Sequence, residues 1–165
     1  MIEPYGGDLP EGRPPFCPPD ERVLASGQHR FAHNLAGDPV VAEGWLYPRN
    51  GPRITQPGSR QLHADVTRNT PGLDASHLLA DYFGGPDIFQ NLIPFPEELN
   101  LSQWKKFENN LTELAARNPV YLQAYVVRVP GDFIPERVIY HVYQLQGGQL
   151  ELIQREFIDL TGFLH

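Results

Sequence analysis

The chain has 165 residues and a net charge of −7, with 41% hydrophobic and 20% charged residues. Those are the proportions of one folded domain large enough to bury a core. No apolar run reaches the roughly 20 residues that a membrane-spanning helix requires, and Met1-Ile2-Glu3-Pro4 does not open a basic-then-apolar leader, so neither a membrane partner nor a signal peptide is expected. The acidic balance argues mildly against nucleic acid, which usually leaves a basic footprint. A bound divalent cation, however, supplies positive charge that composition does not count. The lone Cys17 excludes an internal disulfide and a cysteine zinc site.

Residues 1–22 carry Pro4, Gly6, Gly7, Pro10, Gly12, Pro14, Pro15, Pro18 and Pro19. They read as an arm or linker before a domain at 23–165, because proline and glycine sustain neither a helix nor a central strand. His29 to Asn34, a turn at Ala36-Gly37-Asp38-Pro39, and Val40 to Tyr47 predict a β-hairpin. Residues 48–59 are loop, and Arg60 to Val66 suggests another short strand. The apolar stretch His77 to Phe83, stopped by Gly84-Gly85-Pro86, predicts one or two helical turns.

Asn100-Leu101-Ser102-Gln103 then resembles a helix start with capping-box spacing. Leu101, Trp104, Phe107, Leu111 and Leu114 recur every three or four residues, giving helix 101–117 one apolar face. Val120 to Val129, Arg137 to Tyr143 and Leu150 to Ile153 are strand candidates, the last two joined at Gly147-Gly148. The fold class expected is α+β.

The informative stretch is 74–108. It contains Asp74-Ala75-Ser76-His77-Leu78-Leu79-Ala80, Tyr82-Phe83-Gly84-Gly85, Asn91-Leu92-Ile93-Pro94, Leu99-Asn100, and Trp104 with Glu108 eight residues after Asn100. Five separated elements occur in order, and together they resemble the DNA/RNA non-specific endonuclease family, in particular the versions found as C-terminal domains of bacterial polymorphic toxins. The likeness extends loosely over residues 29–158. It implies a ββα-metal (His-Me finger) core, with the hairpin region before it and an antiparallel sheet after it.

The resemblance assigns the general base to His77 and the metal ligand to Asn100. A neutral imidazole can accept a proton from water near physiological pH. Magnesium prefers oxygen ligands and retains waters, so one carboxamide is a sufficient protein anchor; Mg2+ is the expected ion, with Mn2+ as the alternative. Read without the resemblance, His77 would more simply cap a turn and Asn100 a helix. Glu108, displaced roughly 80° from Asn100 at about 100° per residue on one helix, either reaches the ion's water shell or is a solvated glutamate. Asn91 is placed beside the catalytic groups as a hydrogen-bonding support, or in a turn. For Asp74, orienting active-site loops and forming a local turn with Ala75-Ser76 are both open, the turn being favoured.

Three departures stand out. Ser76 replaces the usual glycine before the histidine, no arginine occupies the two positions before His77, and Phe95 follows Asn91-Leu92-Ile93-Pro94 where glutamine is common. A phosphate-gripping arginine must come from elsewhere, with Arg53, Arg60 and Arg68 as candidates. His29, His33, His63, His141 and His165 show no zinc spacing, and Trp45 and Trp104 read as core. The implied protein is a metal-dependent endonuclease acting on DNA and possibly RNA. Its expected setting is that of a secreted effector active in the target-cell cytoplasm and restrained in its producer by an immunity protein. The rival is a catalytically inactive member of the fold that binds nucleic acid or protein.

Overall fold

A computed structural model describes residues 2–4, 28–47, 58–129 and 131–161. The expected arm lies outside these residues apart from its first few, as do Cys17, Arg53, His165, most of the 48–59 loop and the boundary at 22/23. The first strand, β1 (Ile2–Pro4), runs parallel to β2 (His29–His33) at the sheet edge, which is where proline is tolerated in a ladder. The predicted hairpin forms from β2 and β3 (Pro39–Trp45). Its turn is tied by the Asn34 side chain, whose Oδ1 accepts from the backbone N–H of Ala36 and Asp38 at 3.0 Å each.

The three C-terminal strands also form, as β6 (Val120–Val127), β7 (Arg137–Gln146) and β8 (Gln149–Asp159). They are not a separate sheet from the hairpin. β3 pairs antiparallel with β6, giving one six-stranded sheet in the order β1-β2-β3-β6-β7-β8. Alternation turns Ala42, Leu122, Ala124, Val138, Tyr140 and Val142 toward the main core.

Between these halves of the sheet lies a second unit. α1 (Ser59–Thr67) is followed by a two-stranded antiparallel sheet, β4 (Leu73–His77) with β5 (Leu92–Pro96). Then come the one-turn α2 (Glu97–Asn100) and the long α3 (Gln103–Arg117). Trp104, Phe107 and Leu111 of α3 are buried. Trp104 stacks on Tyr140 of β7 with ring centroids 5.1 Å apart, and Phe107 lies 4.9 Å from the same ring. This aromatic contact fixes the small unit on the large sheet. No helix among the described residues is long and apolar enough to cross a membrane.

Four sequence expectations change. Arg60 to Val66 is helix, because Leu62 and Val66, and also Ser59, His63 and Thr67, are spaced by four. His77 to Phe83 is not helical. His77 ends β4, and Leu78 and Leu79 are fully buried in a bend whose backbone is satisfied by Asn91, so only Asp81–Phe83 makes a tight 3-10 turn. Helix 101–117 starts later, since the chain breaks between α2 and α3 at Leu101 and Ser102. Leu101 is 80% exposed and lies off the apolar face, and Ser102 makes no side-chain cap but donates to the Glu98 carbonyl. Asp74 is in β4 opposite Phe95, not in a turn.

Candidate active site

The β4–β5 sheet is covered on both faces. On the rungs Asp74–Phe95 and Ser76–Ile93, side chains point to the core side, where Phe95 lies 6.3 Å from Trp104. On the alternate rung, His77 opposite Leu92, they point toward α1. Consecutive residues of one strand therefore serve two different clusters. Phe95 is part of the core, which accounts for an apolar residue at a position where glutamine is usual.

The first cluster surrounds Asn100, the last residue of α2. Its Nδ2 donates to Asp74 Oδ2 at 2.9 Å, and its Oδ1 accepts from Ser76 Oγ at 3.3 Å. A carboxylate accepts only, so Asp74 fixes which end of the carboxamide is which. The carbonyl oxygen is thereby turned to the Ser76 side, and the side chain is not spent on capping α3. One oriented carbonyl oxygen suits a hard cation that keeps most of its waters. Among the described residues no three His, Cys, Asp or Glu side chains gather as a self-sufficient metal cage.

The second cluster surrounds His77. Its Nε2 lies 3.1 Å from Asp87 Oδ1, and the same oxygen accepts a hydrogen bond from His63 Nε2 at 2.8 Å. Ser59 donates to the other carboxylate oxygen, Asp87 Oδ2. Partial burial of Asp87 pulls its carboxyl pKa upward, but the bonds from Ser59 and His63 and the nearby charges of His63 and His77 outweigh that. The group sits below the usual carboxylate range.

The loop joining the clusters is held from inside. Asn91 is completely buried. Its Oδ1 accepts from Leu79 N at 2.9 Å, while Nδ2 donates to the carbonyls of Leu79 and Pro86 at 3.0 and 2.9 Å. Every polar atom of that side chain serves the 79–86 loop, so Asn91 shapes the site and presents nothing to a substrate. Gly85 completes the turn, since a Cβ there would meet the Leu79 carbonyl oxygen at 1.7 Å. From the core side, Tyr140 Oη donates to the Leu78 carbonyl at 2.9 Å, anchoring the residue after His77.

The structure thus brings Asn100 to Ser76, the residue preceding His77, while Ser76 and His77 themselves leave β4 on opposite faces. Glu108 is close enough to Tyr140 for its charge to act on that phenol. It belongs to α3, whereas Asn100 belongs to α2, so the single-helix angle between them does not apply. Burial raises the Glu108 carboxyl pKa against the opposing charge of Lys105, and its negative charge adds to the burial that raises the Tyr140 phenol.

Of the arginine candidates, Arg60 is exposed on α1 directly after Ser59. Arg68 sits past the far end of the helix over the Phe133 ring, 4.3 Å from its centroid. His29 bonds the Trp45 carbonyl at 3.1 Å; burial, partly opposed by that bond, lowers its pKa to about 4. It is a neutral structural residue at physiological pH.

Asp87, His63, Ser59 and Tyr140 were not legible as site residues from the sequence. Nothing in the sequence singles out Asp87, and His63 lies in the stretch read as a short strand. The four-residue spacing of Ser59 and His63 was the available signal. A surface cavity of about 560 Å3 lies away from His77, between α3 and β8. Polar groups along it bridge helix to strand, with Gln103 donating to Glu156 at 3.0 Å and Asn110 to Gln154 at 2.6 Å, so they brace the packing.

The sequence profile of the DNA/RNA non-specific endonucleases matches residues 39–130, more than half of the chain. The chain belongs to this endonuclease family. None of the curated proteins matches it significantly. Among solved structures it is similar to NucA from Streptococcus agalactiae, crystallised with no metal bound, with 14% identity and a TM-score of 0.52. That match covers 77% of this chain and 78% of the other. At that identity the likeness speaks for the fold alone, and the endonuclease is α+β as its sequence predicted.

Proposed function

We propose that this family member is a metal-dependent endonuclease that hydrolyses phosphodiester bonds of DNA, and of RNA as a second substrate, with His77 as general base and Asn100 as the protein ligand of one divalent cation. The observation that carries the reading is the Asp74–Asn100–Ser76 cluster, which orients a carboxamide oxygen beside the residue that precedes His77. Water attacks phosphorus as its proton passes to His77. The new P–O bond forms, the bond to the departing sugar oxygen breaks, and that oxygen takes a proton from solvent. A divalent cation, Mg2+ by preference, supplies charge neutralisation at the phosphate. Asp74 holds the carboxamide that would bind it, and of the candidates among the described residues Arg60, exposed beside Ser59, is the one assigned to contact phosphate near His77.

The wider setting, an antibacterial toxin domain acting in a target cell and restrained by an immunity protein, rests on the sequence resemblance to polymorphic toxin domains. Plasmid DNA and a structured RNA are incubated with the protein, with and without Mg2+ and a chelator, and with His77→Ala in parallel. Cleavage that needs the ion and falls about 10²–10⁴-fold in the variant is expected. Cleavage by His77→Ala at the parent rate overturns the assignment of the base. A folded parent with no activity on either polymer favours a binding module.

A further inference from the structure

The mechanism so far leaves Asp87, His63 and Ser59 unused, although they surround the same imidazole. Asp87 is 12% exposed at its side chain. Oδ1 receives His63 Nε2 and lies 3.1 Å from His77 Nε2, at ion-pair distance but off the line of a hydrogen bond, while Oδ2 receives Ser59 Oγ. Ser59 and His63 are four residues apart on α1 and so project from one side of that helix. The loop that carries Asp87 is fixed one residue earlier, where the Pro86 carbonyl accepts from buried Asn91. The carboxylate therefore has little freedom to turn, and the two imidazole rings stand 6.2 Å apart at 74° across it.

We propose that Asp87 is the positioning residue for His77: its charge, 3.1 Å from Nε2, keeps the proton of the neutral ring on that nitrogen, so that the proton from water is taken at Nδ1, while His63 and Ser59 clamp that carboxylate from α1. The physical basis is the one seen wherever a carboxylate backs an imidazole. The negative charge favours the tautomer whose N–H faces it, and it stabilises the imidazolium formed when the other nitrogen accepts a proton. Asp87 keeps its own charge throughout, consistent with the three groups that favour the carboxylate form. The proton balance is simple: one proton moves from water to Nδ1 and none moves to Asp87.

This inference rests on His77 being the base, so the experiment separates the two. Kinetics of plasmid cleavage in Mg2+ are compared for the parent, His77→Ala, Asp87→Asn and His63→Gln, together with long-range ¹H–¹⁵N spectra of ¹⁵N-histidine protein. Asp87→Asn preserves shape but removes charge. It is expected to lower kcat about 10–100-fold with KM nearly unchanged, and to move the His77 nitrogen shifts. His63→Gln, which retains a donor for the carboxylate, is expected to recover most of the parent kcat.

In the parent itself, Nε2 of His77 is expected to be the protonated nitrogen. A parent spectrum showing the Nδ1–H tautomer overturns the proposal even if Asp87→Asn does not fold. So does an Asp87→Asn protein with parent kcat, or one that loses activity with His77 shifts unmoved. If His77→Ala is fully active the base assignment falls first, whereas an inactive His77→Ala beside a fully active Asp87→Asn removes only the role of Asp87.

Discussion

The two faces of β4 handle polar groups in opposite ways. Toward α1, His77 meets a second imidazole and a shared carboxylate. Toward the core, Asp74 and Ser76 meet the carboxamide of Asn100, which has no proton to exchange and offers an oxygen. Under the proposed function, strand alternation would keep proton handling apart from cation binding while serving both from adjacent residues, Ser76 and His77. What the faces share is the loop behind them, held by Asn91 and Tyr140. Perturbations can therefore be aimed at the shared loop or at one face.

The largest effect is expected where the faces are joined. Asn91→Ala removes one acceptor and one two-bond donor from a completely buried site, leaving Leu79 N–H and the carbonyls of Leu79 and Pro86 without those partners. Because a buried backbone group left unsatisfied costs about 1–3 kcal/mol, unfolding free energy should fall by on the order of 3 kcal/mol. Urea denaturation with an unchanged slope would measure it. A variant as stable as the parent would show that the loop does not depend on Asn91.

A change confined to the core-side face should act on the ion and leave the imidazole alone. Asp74→Ala frees the Asn100 carboxamide to rotate, and supporting groups of this kind are typically worth 10–100-fold in metal affinity. The Mg2+ concentration for half-maximal cleavage should rise by about that factor, while the rate at saturating Mg2+ recovers toward the parent. A lower rate at every Mg2+ concentration, with no shift in the midpoint, would mean that the two faces are not separable.

Much of this organisation was legible in the chain. The hairpin, the three C-terminal strands and the α3 face at Trp104, Phe107 and Leu111 declare themselves by period, because each element packs one face on a single core. The 74–108 pattern declared the family, which the profile match establishes. One misread segment has its backbone satisfied by a distant side chain. Leu78-Leu79-Ala80 reads as a short apolar helix until Asn91, twelve residues beyond Leu79, is seen to take its hydrogen bonds. Asp74 reads as a turn residue and Asp87 gives no local signal because their partners, Asn100, His63 and Ser59, are 24 to 28 residues away, beyond the reach of local propensity. The angle of roughly 80° between Asn100 and Glu108 assumes one unbroken helix at about 100° per residue, and exposed Leu101 with Ser102 shows where that helix is interrupted.

The smallest effect should come from the core side of the shared loop. Tyr140→Phe keeps the ring that stacks on Trp104 and lies against Phe107, deleting only the Oη that donates to the Leu78 carbonyl. The Leu78 carbonyl would then be buried without that donor, at a net cost of about 1 kcal/mol, visible as a small drop in Tm with the same unfolding cooperativity. Leu78 follows His77 directly, and its N–H remains bonded to the Asn91 carbonyl at 2.8 Å, so the strand end should keep its register. Cleavage should fall by a few fold at most, with the Mg2+ midpoint unmoved, because the tyrosine acts on the backbone behind the imidazole and touches neither cluster. A shifted Mg2+ midpoint would instead mean that the core contact reaches through Leu78 to the Asn100 side, making β4 a coupled element and not two independent faces.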